Sequence, residues 1–154
     1  MRVQDIFAQH HLAIQEASYT CGPVSILNAL RLKGDFSRSE EELAKLCDAK
    51  PGIGTSNQNV VKVARQVGLE ILEEKANAVI VDIERNIDNG AYVIVNYFDA
   101  FSDEGHYSVI TEYDNRALYF TDSGFGLFRL NKEDFIKFWH NSDKTIYGWY
   151  VAVK

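Results

Sequence analysis

Gln15-Glu16-Ala17-Ser18-Tyr19-Thr20-Cys21-Gly22-Pro23, running on into Val24-Ser25-Ile26-Leu27-Asn28-Ala29-Leu30-Arg31-Leu32, is the stretch from which the fold of this chain is read. Pro23 stands in a first helical turn, where the N–H it lacks has no helical partner. Val24, Leu27 and Leu30 recur at helical spacing, and Gly34 reads as the stop. Cys21 therefore lies at the positive end of a helix dipole, which favours thiolate over thiol. Gly22 beside it permits a close backbone approach.

Outward from this helix, helices come first and strands later. Ser39-Glu40-Glu41-Glu42 is a capping-box pattern in which the serine oxygen accepts the Glu42 N–H and the Glu42 carboxylate reaches back. Its glutamates read as a solvated helix start, while Leu43, Leu46 and Cys47 give that short helix an apolar face and make Cys47 a packing thiol. A third helix is expected over residues 57–67, capped by Thr55 or Ser56, with Val60, Val61, Val63 and Ala64 inward. Strands are expected over 69–72, 91–97, 106–113, 117–121, 125–130 and 146–153, with short helices over 81–88 and, capped by Asn131, over 132–139. Strands so spaced and joined by short turns predict a mainly antiparallel sheet. The fold class is α+β, a helical N-terminal half packed against that sheet in two layers or lobes with a cleft between them.

A chain of 154 residues fits one domain over residues 1–154, and no linker or repeat divides it. At 46% hydrophobic residues it can bury a core, which excludes a disordered chain. Sixteen Lys and Arg against twenty-two Asp and Glu give a net charge of −6, the wrong sign for a nucleic-acid partner. Two cysteines cannot build a disulfide framework and suit a reducing compartment. Arg2, Asp5, His10 and His11 break any signal-type apolar start, and no apolar run is long enough for membrane insertion, so the expected location is cytoplasmic. No Cys/His set has zinc-ligand spacing, so no metal and no cofactor is assigned, and the oligomeric state stays open.

A thiolate needs a base partner, most naturally histidine. His106 opens a strand after the loop Ser102-Asp103-Glu104-Gly105, and Asp122 ends the next strand before Ser123-Gly124. A hairpin turning at Asp114-Asn115 sets His106 directly opposite Asp122 on one face, where a carboxylate orients the imidazole. Gln15, one short turn before Cys21, can bring its amide beside the thiol and, with the Cys21 N–H, form an oxyanion hole. Asp99, Asp103 and Glu104, with Tyr97, Phe98, Phe101 and Tyr107, read as an acidic, aromatic cleft rim suited to a basic or amine-bearing peptide, or as an ordinary exposed loop.

The segment from Gln15 to Pro23 resembles the glutamine-to-Cys-Gly-Pro signature of papain-like peptidases. Gly105-His106-Tyr107-Ser108-Val109-Ile110 and Thr121-Asp122-Ser123-Gly124 are similar to the histidine and aspartate boxes of the bacteriocin-processing cysteine peptidases, which cut leader peptides after a double glycine; Gly54-Thr55-Ser56 also fits that branch. The chain departs from the pattern at Thr20, often aspartate, and at Ser123, often proline. Those peptidases are usually fused to a membrane exporter, and these 154 residues show neither membrane spans nor a phosphate-binding GxxxxGK(S/T) loop. The resemblance implies a standalone papain-like domain cleaving a peptide or amide bond through Cys21, His106, Asp122 and Gln15. The substrate would be met by Gly22, Asp103, Glu104, Gly105 and Tyr107. An acyltransferase or transpeptidase using the same acyl-enzyme, and a peptide-binding module without turnover, are the alternatives.

Overall fold

Cys21–Leu32 forms helix α1, which starts with Val24 N–H donating to Thr20 O and closes at Gly34, whose φ of 93° only glycine adopts freely. The computed structural model describes residues 10–99, 102 and 104–154. Val24, Ile26, Leu27, Ala29 and Leu30 are all at most 1% exposed, so α1 is buried nearly all round and acts as the central post of the molecule. Glu40–Leu46 (α2) begins as expected, with Ser39 Oγ accepting the Glu42 N–H at 3.2 Å. The reciprocal half of the capping box is not made, because the Glu42 carboxylate turns to Arg38 instead. Asn57–Gln66 (α3) is capped by Ser56, whose Oγ accepts Asn59 N–H at 3.1 Å, and it turns Val60, Val61, Val63 and Ala64 inward.

The second half supplies Ile71–Lys75 (β1), Ile80–Asp88 (α4), Tyr92–Asp99 (β2), Glu104–Tyr113 (β3), Ala117–Asp122 (β4), Gly126–Asn131 (β5), Lys132–Phe138 (α5) and Tyr150–Val153 (β6). The strands form one sheet in the order β1-β6-β2-β3-β4-β5, with every pairing antiparallel. One face, carrying Ile94, Tyr107, Val109 and Val151, packs on α1, α2 and α3. The other face, with Val95, Tyr97, Ile110 and Phe120, packs on Ile83 of α4 and Phe135 of α5. The α+β architecture with its helical first half is the one expected; the added feature is that both faces of the sheet are covered. Among the described residues no helix is long and apolar enough to cross a membrane.

Two expectations are corrected. The last strand is only Tyr150–Val153, because Gly148, at φ 59°, turns the chain and gives its N–H to Trp139 O at 2.9 Å. The β3/β4 register also differs: Ser108, not His106, faces Asp122. Asp114 Oδ1 accepts the N–H groups of Arg116 and Ala117, both at 2.8 Å, which lengthens the turn, and a bulge between Ile110 and Glu112 takes up part of the shift. The net displacement is two residues, an even number, so His106 and Asp122 still share a face.

Candidate active site

Cys21 is the first residue of α1 and is 7% exposed. Helix α1 packs across β3, and the approach is close: a Cβ on Gly22 would lie 3.1 Å from Thr55 Cβ and 3.3 Å from the Tyr107 ring. Glycine at this position lets the thiol end of α1 reach the start of β3. There Cys21 comes close enough to the His106 imidazole to act on its ionisation.

His106 Nε2 lies 2.9 Å from Asp122 Oδ1 and 3.1 Å from Oδ2, which leaves Nδ1 as the nitrogen for the sulfur. Asp122 is fully buried and held in place: Oδ2 accepts the N–H groups of Gly124 at 2.8 Å and Phe125 at 2.9 Å, and the Tyr97 hydroxyl lies 3.4 Å from Oδ1. Burial opposes ionisation of Asp122, but His106 and the Phe125 amide outweigh it and hold the carboxyl below its usual range. For His106, burial likewise disfavours the charged ring. Hydrogen bonds and charge from Asp122 and Cys21 prevail, and the imidazole is pushed up to about 10. The Tyr97 ring meets the imidazole edge-on at 5.5 Å, and burial pushes its phenol up, so it stays a neutral donor.

Gln15 is fixed from three directions. Its backbone N–H donates to Ser123 O at 2.6 Å, its Oε1 accepts from Ser123 Oγ at 2.8 Å, and its Nε2 donates to Ala17 O at 2.8 Å. The Ala17 carbonyl also fixes the amide orientation, since a flipped amide would set two acceptors against each other. The segment is held down on both sides: Asn28 bonds Ala13 N and Ala13 O at 2.7 and 3.0 Å, and Glu40 Oε1 accepts from Glu16 N at 3.0 Å and Thr20 Oγ1 at 2.6 Å. Glu40, read from sequence as part of a solvated helix start, is therefore half-buried and structural. A Cβ on Gly124 would lie 3.7 Å from both Gln15 Oε1 and His106 Cε1, so Gly124 sits between the amide and the imidazole.

The remaining expected residues are placed differently. Tyr107 is buried between the halves, its hydroxyl donating to Asn57 Oδ1 or to Thr55 O at 3.0 Å, and Asn96 Nδ2 joins Asn57 Oδ1 at 3.0 Å. It braces the floor of the cleft. Gly105 N–H donates to Ser142 Oγ at 2.7 Å, and a Cβ at Gly105 would lie 2.8 Å from that oxygen. Of the acidic, aromatic rim, Asp99, Tyr97 and Tyr107 are buried and Glu104 is exposed, while Asp103 and Phe101 lie outside the described residues. Alternate residues of β2 and β3 point to opposite faces of the sheet, which puts Tyr97 and Tyr107 in its two cores. Cys47 is fully buried, and burial pushes its thiol up to about 12. Among the described residues no group of three or more His, Cys, Asp or Glu side chains could hold a metal ion. The contacts of Ser123, Asn28 and Glu40 were missed, since they join separate segments, and Tyr97, read as a rim residue, lies against His106 and Asp122 instead; the one available signal was the departure at Ser123.

Residues 4–147 match the Peptidase_C39 like family. An uncharacterised protein of Methanothermobacter marburgensis is 28% identical over 123 residues, covering 80% of this chain and 78% of that one. The peptidase domain of Streptococcus ComA, a bi-functional ABC transporter of a quorum-sensing pathway, has a TM-score of 0.69 at 20% identity, covering 93% of this chain and 95% of its own. A C39-like peptidase from Bacillus anthracis reaches 0.70 at 13% identity, covering 94% and 95%. A double-glycine-motif protease from an AMS/PCAT transporter, solved with its leader peptide, reaches 0.61 at 17% identity, covering 92% and 87%. The fold is therefore papain-like, as the sequence resemblance implied.

Proposed function

Because the chain belongs to the Peptidase_C39 like family, we propose that it is a cysteine peptidase in which Cys21 is the nucleophile, His106 the acid–base, Asp122 its orienter and Gln15 an oxyanion donor. The observation behind this is the His106–Asp122 pair, bonded through Nε2 with Nδ1 left open, next to Cys21, which also acts on the ionisation of the ring. Against the opposing effect of burial, Asp122 and Cys21 push the imidazole up to about 10, so His106 holds a proton near neutral pH, as the acid that serves the leaving group must.

In the reaction the sulfur attacks the scissile carbonyl carbon and the C–S bond forms. The carbonyl electron pair moves to oxygen, where the Gln15 amide and the Cys21 N–H stabilise it; that N–H is free of a helical partner at the first position of α1. His106 gives its Nδ1 proton to the leaving nitrogen as the C–N bond breaks. Water then loses a proton to His106, attacks the thioester and releases the thiolate. The substrate is a peptide, and its leading candidate class, carried over from the transporter-linked protease solved with its leader peptide, is one with a double-glycine leader.

Thiol alkylation with peptide mapping tests the nucleophile. Near neutral pH Cys21 takes the label in the wild type, and His106→Ala slows it, while Cys47 with its thiol near 12 reacts ~10³-fold slower than a free thiol. Equal, slow labelling of both thiols overturns the assignment. Cleavage of double-glycine peptides, abolished in Cys21→Ser, tests the substrate class.

A further inference from the structure

Beside His106 the sheet lobe holds a recess of ≈ 390 Å³ that the chemistry above does not use. It is lined by Tyr97, Phe98, Phe125, Phe128, Leu130 and Phe138, with Asp99, whose carboxylate accepts from Ser102 Oγ at 2.9 Å. Phe120, stacked on Phe128 at 4.7 Å, ties the floor to the core. Phe125 and Phe138 stand at the mouth, 62% and 39% exposed, an arrangement that a chain without an apolar ligand has no reason to keep open.

The recess adjoins the proposed catalytic group through two of its lining residues. Tyr97 touches the imidazole at 5.5 Å and Phe125 lies 6.4 Å from it, directly after the Asp122-Ser123-Gly124 turn that holds the carboxylate. Every wall comes from β2, β5, α5 or that turn, and none comes from α1 or the Gln15 segment. The two halves of a peptide part at the sulfur. The acyl half stays bound to Cys21 on α1, and the amine half departs past the group that protonates it, His106. A site built only around the far side of His106 therefore faces the amine half.

We propose that this recess is the subsite for a large apolar or aromatic side chain at the first or second residue on the leaving-amine side of the scissile bond. The proposal rests on the peptidase reading and adds to it a specificity determinant.

Two measurements test it. In the first, peptides that share one acyl half and carry Phe or Gly at those two positions are cleaved by the full chain, by Phe125→Ala and by Phe138→Ala. Phe at the matching position raises kcat/KM by ~10-fold or more over Gly. Both exposed-ring variants remove that advantage, and Phe138→Ala, which contacts no member of the Cys21–His106–Asp122 set, leaves hydrolysis of the common acyl-enzyme at its rate. Equal kcat/KM for Phe and Gly, or an advantage untouched by both variants, overturns the subsite. In the second, which needs no turnover, short peptides with a free N-terminus bearing Phe or Gly are titrated onto Cys21→Ala by NMR. Binding of the Phe peptide that weakens on adding Phe125→Ala supports the subsite, and no preference for Phe overturns it. Loss of Cys21-dependent cleavage with this binding retained would instead overturn the peptidase reading and leave the recess as a peptide site.

Discussion

His106 Nε2 bonds both oxygens of Asp122, at 2.9 and 3.1 Å, although Ser108 is the residue that faces Asp122 across the β3/β4 ladder. The pair is diagonal on one face of the sheet, a geometry within reach of a long or aromatic side chain. It sits at the strand ends, where Gly124 and Phe125 add their amides to the same carboxylate. The imidazole is thus oriented by a group that the backbone itself holds rigid.

Asp122→Ala removes the partner of a buried imidazole and the acceptor of two amides. It should cost about 3–5 kcal/mol of stability in urea unfolding. The folded fraction should lose ~10²–10⁴-fold in kcat/KM for peptide cleavage.

Stability should fall on the alkaline side. The imidazole titrates near 6.5 when unfolded and is pushed up to about 10 when folded, because Asp122 and Cys21 overcome the opposing effect of burial. The folded pKa is the higher one, so the stabilisation is complete below about 6.5 and is lost as pH rises from about 6.5 to about 10. Urea unfolding across that window should show the decline in the wild type and not in His106→Gln.

Ser123 positions Gln15 through its hydroxyl and its carbonyl. Ser123→Ala should lower kcat by ~5-fold with KM nearly unchanged, the worth of about 1 kcal/mol of hydrogen bond. In a Gln15→Ala background, itself ~10²–10³-fold slower, the same change should have no further effect on kcat. An unchanged effect in that background would assign Ser123 to folding alone.

Tyr107→Phe deletes the hydroxyl shared by Asn57 Oδ1 and Thr55 O beneath the cleft. Asn57 Oδ1 keeps Asn96 Nδ2, so the loss falls on the Thr55 carbonyl and should cost about 1–3 kcal/mol, read as a lower urea midpoint at constant slope.

Much of the local structure was legible in the sequence. Ser39 and Ser56 cap their helices where the pattern set them, Gly34 and Gly68 close theirs with positive φ, and Cys47 is core. The order of Gln15, Cys21, His106 and Asp122 was visible too, and with it the family. These signals are short-range: a cap is read within a turn, and burial follows a period of two or 3.6 residues.

Tertiary structure alone decided the rest. The β3/β4 register depended on an Asp114 turn and a bulge, whose combined displacement no alternation pattern reports. The hold on Gln15 comes from Ser123, 108 residues away, and Glu40 anchors Thr20 across 20. The rim residues Asp99, Tyr97 and Tyr107 turned inward because strand parity, once the register was set, left them no other face. Sequence determined the helix caps, the core positions and the order of Gln15, Cys21, His106 and Asp122, through local rules that act residue by residue. Which partners orient them was decided by packing, because those contacts exist only after distant segments have closed on one another.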